Sequence, residues 1–258
     1  MKYAIMSDVH ANPKALETAL ADAHKAGCGK FILLGDVTGY GYDPKRTLEL
    51  VRANFDVVLL GNHDSACVEL EPEWEVRVNN NYDLDRMACE QLSEEERAWL
   101  RKCAYQHEEP DFICTHGDFT QPKMWNYILD KAAAERNFRF RNEQLMFCGH
   151  THHAAIWALT GKGVCRPKLE HRFRQPAAKK ESISFKLNPA SRYIVNVGSV
   201  GYPRNDLCSA YGIFDADVRR MTIRRLPFDF KSYITEMLDR KLDLPYWLYR
   251  LLLAAREG

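Results

Sequence analysis

The sequence has no CxxC pair, no apolar run long enough to cross a bilayer and no excess of either charge. Each absence excludes a class of protein. Its eight cysteines (28, 67, 89, 103, 114, 148, 165 and 208) show no regular spacing. Cys114 and Cys148 lie inside apolar runs, where cysteine behaves as a small hydrophobe. That usage points to reduced thiols and a cytoplasmic location rather than a disulfide framework. The mostly apolar start, Met1 to Met6, meets Asp8 before a signal-peptide core could form. Leu244 to Ala255, the longest late apolar stretch, is interrupted by Arg250 and falls far short of the roughly 20 residues that span a bilayer. No membrane partner is expected. Thirty-six Lys plus Arg against 35 Asp plus Glu leave +1, a balance that makes no case for nucleic acid, and none is expected as a partner.

What is present is ordinary for a globular chain. At 46% hydrophobic and 28% charged over 258 residues, the chain can bury a full core without staples. It reads as one domain over 1–258, with no internal repeat and no low-complexity segment.

The N-terminal half alternates strands and helices. Tyr3 to Met6, Phe31 to Leu34 and Val57 to Leu60 are short apolar strands. Between them, Asn12-Pro13 and Asp43-Pro44 open helices, because Asn or Asp caps and proline fits the first turn. The first keeps helical spacing through Leu16, Ala19, Leu20 and Ala23, and Gly27 stops it. This order predicts βαβ units and a parallel sheet buried on both faces. Residues 65–110 are polar and Glu-rich and read as a helical insertion, with Ser93-Glu94-Glu95-Glu96 a capping box for a helix through about Gln106. Phe112 to Thr115 and Leu145 to Cys148 are two more buried strands, with a helical stretch around 122–135 between them. Residues 160–190 read as an exposed excursion, basic over 161–181, in the form of a loop or hairpin. Arg192 to Val197, Ala210 to Phe214 and Met221 to Leu226 are strands, the last two suited to an antiparallel hairpin. One or two helices end the chain over 229–258, where Tyr246, Trp247 and Tyr249 pack against the core.

The strand ends carry the chemistry. In open α/β sheets, ligands bind outside the carboxyl ends of the strands. Here those ends hold the strings SDVH, GD, GNHD, THGD and GHTH, which contain five of the nine histidines. Carboxylates, imidazoles and one amide oxygen are hard-to-borderline donors that suit manganese, iron, zinc, nickel or magnesium rather than soft copper. Asp36 could bridge two ions at the spacing of two-metal phosphatase and nuclease sites, about 3.5–4 Å. Two carboxylates cannot neutralise two divalent ions, so such a site would attract a phosphate. Glycine before Asp36, Asn62 and His150 allows a sharp turn at each strand end.

The ordered set D-x-H, G-D, G-N-H-D, H and G-H-x-H over residues 1–155 resembles the calcineurin-like metallophosphoesterase superfamily. The segment Asn196-Val197-Gly198-Ser199-Val200-Gly201-Tyr202-Pro203-Arg204 is similar to the N-x-G-S-x-x-x-P-R element of a bacterial and archaeal branch with phosphodiesterases and diadenosine tetraphosphatase-like enzymes. The resemblance implies an α/β fold, a β-sandwich of two mixed sheets flanked by helices. It implies two divalent or trivalent metal ions, manganese first and iron, zinc, nickel or magnesium as alternatives. Asp8, His10, Asp36 and His152 would hold one ion. Asp36, Asn62, His116 and His150 would hold the other. His63 would face the leaving-group oxygen, and Asp64 could orient its ring. The implied reaction is hydrolysis of a small phosphodiester, phosphomonoester or nucleotide anhydride by a hydroxide bridging the metals, with positioning and charge stabilisation supplying most of the catalysis.

Other positions carry two readings. Arg204 suits bidentate phosphate binding or is a surface arginine. Tyr40 stacks on a substrate base or closes its loop. Asp118 orients His116 or caps a turn. His153 points away from the face His152 uses. Asn12 caps its helix. Protein Ser/Thr phosphatases of the superfamily carry G-D-x-V-D-R-G and G-N-H-E; this chain has Gly35-Asp36-Val37-Thr38-Gly39-Tyr40-Gly41 and GNHD. A phosphoprotein phosphatase and a non-catalytic scaffold are the competing readings. The retained ligand set and His63 speak against the scaffold.

Overall fold

In the computed structural model, residues 1–69, 82–167, 181–204 and 208–242 are described. Two six-stranded sheets face each other. The first sheet is built on β1 (Lys2–Met6), β2 (Lys30–Leu33) and β3 (Val57–Val58), all parallel. On the other side of β1, β11 (Cys208–Asp215) pairs antiparallel, followed by β12 (Arg220–Pro227) and β9 (Glu181–Lys186). The second sheet holds β4 (Gln106–Glu109), β5 (Phe112–Thr115), β6 (Leu145–Cys148), β10 (Arg192–Asn196), β7 (Ala155–Thr160) and β8 (Gly163–Cys165), in that spatial order. β5, β6 and β10 run parallel. Each sheet is thus mixed, as the family resemblance implies, and not the all-parallel sheet that the opening βαβ units suggest.

The strands alternate between two cores, which is why they read as unbroken apolar runs. Tyr3 and Ile5 of β1 point into the sandwich with Ile32, Phe112, Phe147, Val195 and Phe214. Ala4 and Met6 point outward, beneath Leu16, Ala19, Leu20 and Ala23 of helix α1 (Pro13–Lys25). Helix α2 (Pro44–Asn54) lies beside α1. Across the molecule, Ala133, Ala134 and Phe138 of α6 (Lys131–Phe140) cover Ile113, Met146 and Ile194. The caps are those the sequence signals: Asn12 accepts from the Ala15 amide, Asp43 from the Arg46 amide, and Ser93 and Glu96 form the capping box of α5 (Glu94–Leu100).

Three expectations are corrected. The third strand stops at Val58; beyond it Leu59 makes only an isolated parallel bridge to Ala104. Helix α5 ends at Leu100 rather than near Gln106, and Gln106–Glu109 is strand β4, paired antiparallel with β5. The Pro110-Asp111 turn before Phe112 was the signal for that hairpin. The 65–110 region is therefore not wholly helical: α3 (Asn62–Glu69), α4 (Tyr82–Gln91) and α5 are joined by an edge strand. Of the 160–190 excursion, β8 closes a hairpin with β7 and β9 joins the first sheet, while 168–180 lie outside the described residues. At the end, α7 (Phe230–Asp239) packs Phe230, Tyr233 and Met237 against Tyr40, Tyr42 and Tyr202. The packing expected of Tyr246, Trp247 and Tyr249 and the second terminal helix also fall outside the described residues.

Candidate metal centre

The carboxyl ends of the two parallel triplets meet at one place. Asp8 and His10 follow β1, Asp36 follows β2, Asn62 opens α3 after β3, His116 follows β5, and His150 and His152 follow β6. All are buried apart from partly exposed Asn62. Asp8, His10, Asp36 and His152 form one group whose donor atoms lie within 4.8 Å of one another, and Asp36, His116 and His150 form a second. Asn62 joins the second, its Oδ1 3.1 Å from His116 Nε2. Asp36 belongs to both.

The hydrogen bonds behind these side chains set which atoms face inward. His10 Nδ1 lies 3.0 Å from the Thr38 carbonyl and His152 Nδ1 2.5 Å from the Tyr202 carbonyl. A carbonyl only accepts, so both Nδ1 atoms carry the proton and both Nε2 atoms present lone pairs. Those Nε2 atoms are 3.1 Å apart. Likewise His116 Nδ1 donates to the Leu34 carbonyl, at 3.0 Å. Its Nε2 then faces Asp36 Oδ2 at 3.2 Å and His150 Nδ1 at 3.2 Å. The inward carboxylate oxygens, Asp8 Oδ1 and Asp36 Oδ2, are buried with no hydrogen-bond partner, while their other oxygens accept from the His150 and His63 amides. In the first group, lone pairs converging without donors are costly unless a cation sits among them; in the second, burial opposes the charge on His116 but Asp36 outweighs it and raises the imidazole to about 9. The two histidines of the first group resist taking up a second proton. Burial holds His10 well below the ordinary histidine range despite the opposing Asp36 charge, and burial with His10 and Arg204 does the same for His152. Burial and the Asp36 charge raise Asp8 to about 6. For Asp36 burial opposes the charge, yet the surrounding imidazoles of His116, His63 and His10 outweigh it and hold the carboxyl well below its usual range. The donor set therefore fits divalent metal.

The backbone is strained to build this. Asp8, His10, Asp36, His150 and His152 adopt φ of 57°, 51°, 56°, 65° and 60°, the left-handed region that non-glycine residues avoid and that clusters at functional sites. Two of the three glycines act by size rather than by turning. A Cβ on Gly61 would lie 2.1 Å from Asp36 Oδ1, and one on Gly149 would lie 1.9 Å from Ser7 Oγ. The Asn196–Arg204 segment is a brace. Asn196 donates to the Gly149 carbonyl, Ser199 Oγ donates to the Asp8 carbonyl at 2.8 Å, and the Tyr202 carbonyl holds His152.

The structure assigns different partners to several sequence candidates. Asp64 does not touch the His63 ring; it accepts from the amides of Val37, Thr38 and Gly61 and so shapes the loop after Asp36. Asp85 of α4 orients His63 instead, its Oδ1 2.8 Å from His63 Nδ1, both side chains buried. Burial disfavours a charged His63, but Asp85, Tyr40 and Asp36 outweigh it and hold its pKa well above the ordinary value. Gly39 leaves the slot for this contact: a Cβ there would lie 2.6 Å from His63 Nδ1 and 2.7 Å from Asp85 Oδ1. Asp85 lies 22 positions beyond His63 on a polar helix, and nothing local marks it. Asp118 caps a turn, accepting from Thr120 and Gln121, and does not reach His116. His153 bonds within its own turn, to the Thr151 carbonyl. Tyr40 closes its loop: its ring stacks on Tyr202 at 4.5 Å and packs 4.4 Å from His63 and 4.5 Å from His10. Arg204 lies close enough to His152 to disfavour its charge, lies near Tyr127 and keeps a buried Nε without a partner.

Fold and site together define a two-sheet α/β protein with paired Asp/His ligand groups at the strand ends. The chain belongs to the calcineurin-like phosphoesterase superfamily, whose domain model matches residues 1–219. It is 29% identical to a metallophosphoesterase from Sphaerobacter thermophilus, with a TM-score of 0.78 over 98% of this chain and 99% of the other. An uncharacterised protein of Methanocaldococcus jannaschii is 27% identical over 98% of both chains. A hypothetical protein of Pyrococcus horikoshii shares the fold at 16% identity, with a TM-score of 0.72 over 97% of both chains. Among the described residues, no helix is long and apolar enough to cross a membrane.

Proposed function

We propose that the protein is a dinuclear metal-dependent phosphoesterase acting on a small phosphodiester, phosphomonoester or nucleotide anhydride. The observation that carries this reading is the shared Asp36, whose unpartnered Oδ2 faces both ligand groups. Asp8, His10, Asp36 and His152 would hold one ion, and Asp36, Asn62, His116 and His150 the other. Manganese leads the candidates. When bound, the ions supply positive charge to phosphoryl oxygens and make water a nucleophile near neutral pH.

The chain's own residues do the rest. The backbone carbonyls of Thr38, Tyr202 and Leu34 hold three imidazoles in one tautomer. Arg204, whose Nε has no partner in the protein, would bind a phosphate oxygen. His63, oriented by Asp85 through Nδ1, would carry a proton to the departing oxygen from its other nitrogen. Tyr40 and Tyr202 exclude water from the floor of the site, which strengthens each charge interaction there.

The test is hydrolysis of one panel with and without Mn²⁺: a phosphomonoester, a phosphodiester, a cyclic nucleotide, a dinucleoside tetraphosphate and a phosphopeptide. Metal-dependent turnover of one class, lost in Asp36→Ala together with bound metal, supports the reading. Wild-type metal stoichiometry in Asp36→Ala would remove the bridging role. No metal and no turnover in the wild type would shift the protein to a scaffold.

A further inference from the structure

Among the described residues, seven large hydrophobic side chains stand exposed, and three of them fall within six positions of one loop: Met124 at 64%, Tyr127 at 43% and Leu129 at 57%. Scattered exposed apolar residues need no explanation, whereas a group on one loop beside a polar site does. This loop joins β5, which delivers His116, to α6. It lies directly over the turn after His116, since a Cβ on Gly117 would meet the Trp125 Cα at 3.2 Å.

The loop is built against the metal ligands. Trp125 adopts φ 56°, a strained conformation for a bulky residue, and its ring stands edge-on to His116 at 5.9 Å. Tyr127 lies flat on the His150 ring, with centroids 4.2 Å apart and planes 12° apart. The Arg204 guanidinium lies near its hydroxyl. No other aromatic ring among the described residues packs on Tyr127, which is 43% exposed. The phenol ring thus lies flat on a candidate metal ligand and close to the guanidinium, while remaining exposed.

We infer that Tyr127 seats a planar aromatic ring carried by the substrate, so that the phosphoester is that of a nucleoside or a similar flat aromatic alcohol. The inference rests on the phosphoesterase reading for the position of the phosphate, between the ligand groups and Arg204. An organic group attached there emerges along Tyr127. A flat ring continues the His150–Tyr127 stack, in the offset or parallel geometry aromatic pairs prefer. A flexible alkyl chain would have to be ordered against a single ring face, at an entropy cost the stack does not offset. Base–aromatic stacking tolerates every base, so this seat selects a class of substrate and not one nucleobase.

The test is a ratio of affinities measured by calorimetry on the full-length protein, metal-free and loaded with Mn²⁺, using AMP, ribose 5-phosphate and hexyl phosphate. AMP is expected to bind about tenfold or more tightly than ribose 5-phosphate, the scale of one base–aromatic stack. Tyr127→Leu should bring that ratio close to one, and Tyr127→Phe should keep it. Because both ligands are measured on the same protein, any general loss of metal or phosphate binding in a variant cancels. Equal affinities in the wild type, a ratio unchanged in Tyr127→Leu, or no binding of either ligand would overturn the inference. So would hexyl phosphate binding more tightly than AMP, or a dimer in sedimentation that Tyr127→Leu dissociates, which would give this face to a second copy. Phosphoester hydrolysis with no base preference would sink this inference alone. A base preference in binding without any hydrolysis would sink the phosphoesterase reading alone.

Discussion

The most informative single contact is the one between His63 and Asp85. A histidine in the first turn of α3 is oriented from behind by a carboxylate on a separate helix, and Gly39 is small so that the two can meet. His63→Ala should retain metal, since none of the inward-facing ligand atoms belongs to it, and should slow esters of poor leaving groups about 10²–10⁴-fold. Nitrophenyl esters, whose leaving group needs no proton, should lose much less; equal losses would remove His63 from the acid role. Asp85→Asn keeps the shape of the side chain and removes its charge. It should cost about tenfold or more in kcat with metal content and KM unchanged, in line with the loss of partners that orient functional imidazoles. A matching fall in metal content would show that Asp85 acts only by holding α4 against α3.

Elements set how these residues are delivered. Three parallel strands in each sheet end on the same side; the turns after β1, β2 and β6 are strained, β1, β2, β3, β5 and β6 are each followed by one or two candidate donors, and β10 leads into the bracing segment instead. At the opposite sheet edge Lys30 of β2 reaches Glu109 of β4 at 2.5 Å and so ties the two sheets together. Burial opposes the charge on Glu109, but His107 and Lys30 outweigh it and hold the carboxyl below its ordinary range. A carboxyl depressed in the folded state stabilises it above the unfolded pKa, and that contribution is lost as pH falls through the folded value. Glu109→Gln should therefore lower Tm at neutral pH, with a deficit that starts to shrink below about pH 4, where the unfolded chain takes up the proton, and closes once the folded-state carboxyl is protonated too. A Tm deficit that stays constant across that range would assign the loss to packing instead.

For the whole molecule, the sandwich brings loops from both sheets to one point, and an ion there would cross-link them. A ligand that binds only the folded state stabilises it by mass action, by about 2.7 kcal/mol when present at 100 times its Kd. For a chain of this size each kcal/mol shifts Tm by about 2–4 °C, so a chelator should lower Tm by several degrees and Mn²⁺ should restore it. An unchanged Tm would mean that the folded protein does not hold metal.

The sequence by itself determined the candidate ligands and the elements that bear them. Asp8, His10, Asp36, Asn62, His116, His150 and His152 each follow an apolar strand, and strand ends, proline-led helix starts and capping residues are short-range signals written within a few residues. Only the tertiary structure decided what depends on distance along the chain. It showed that β11 inserts antiparallel beside β1 and makes each sheet mixed, because pairing partners 200 residues apart leave no local pattern. It moved the task of orienting His63 from adjacent Asp64 to distant Asp85, since the Asp64 carboxylate turns away to accept backbone amides. It also placed Tyr127 flat on His150, a contact made by the packing of one loop over another strand's end and invisible to any periodicity.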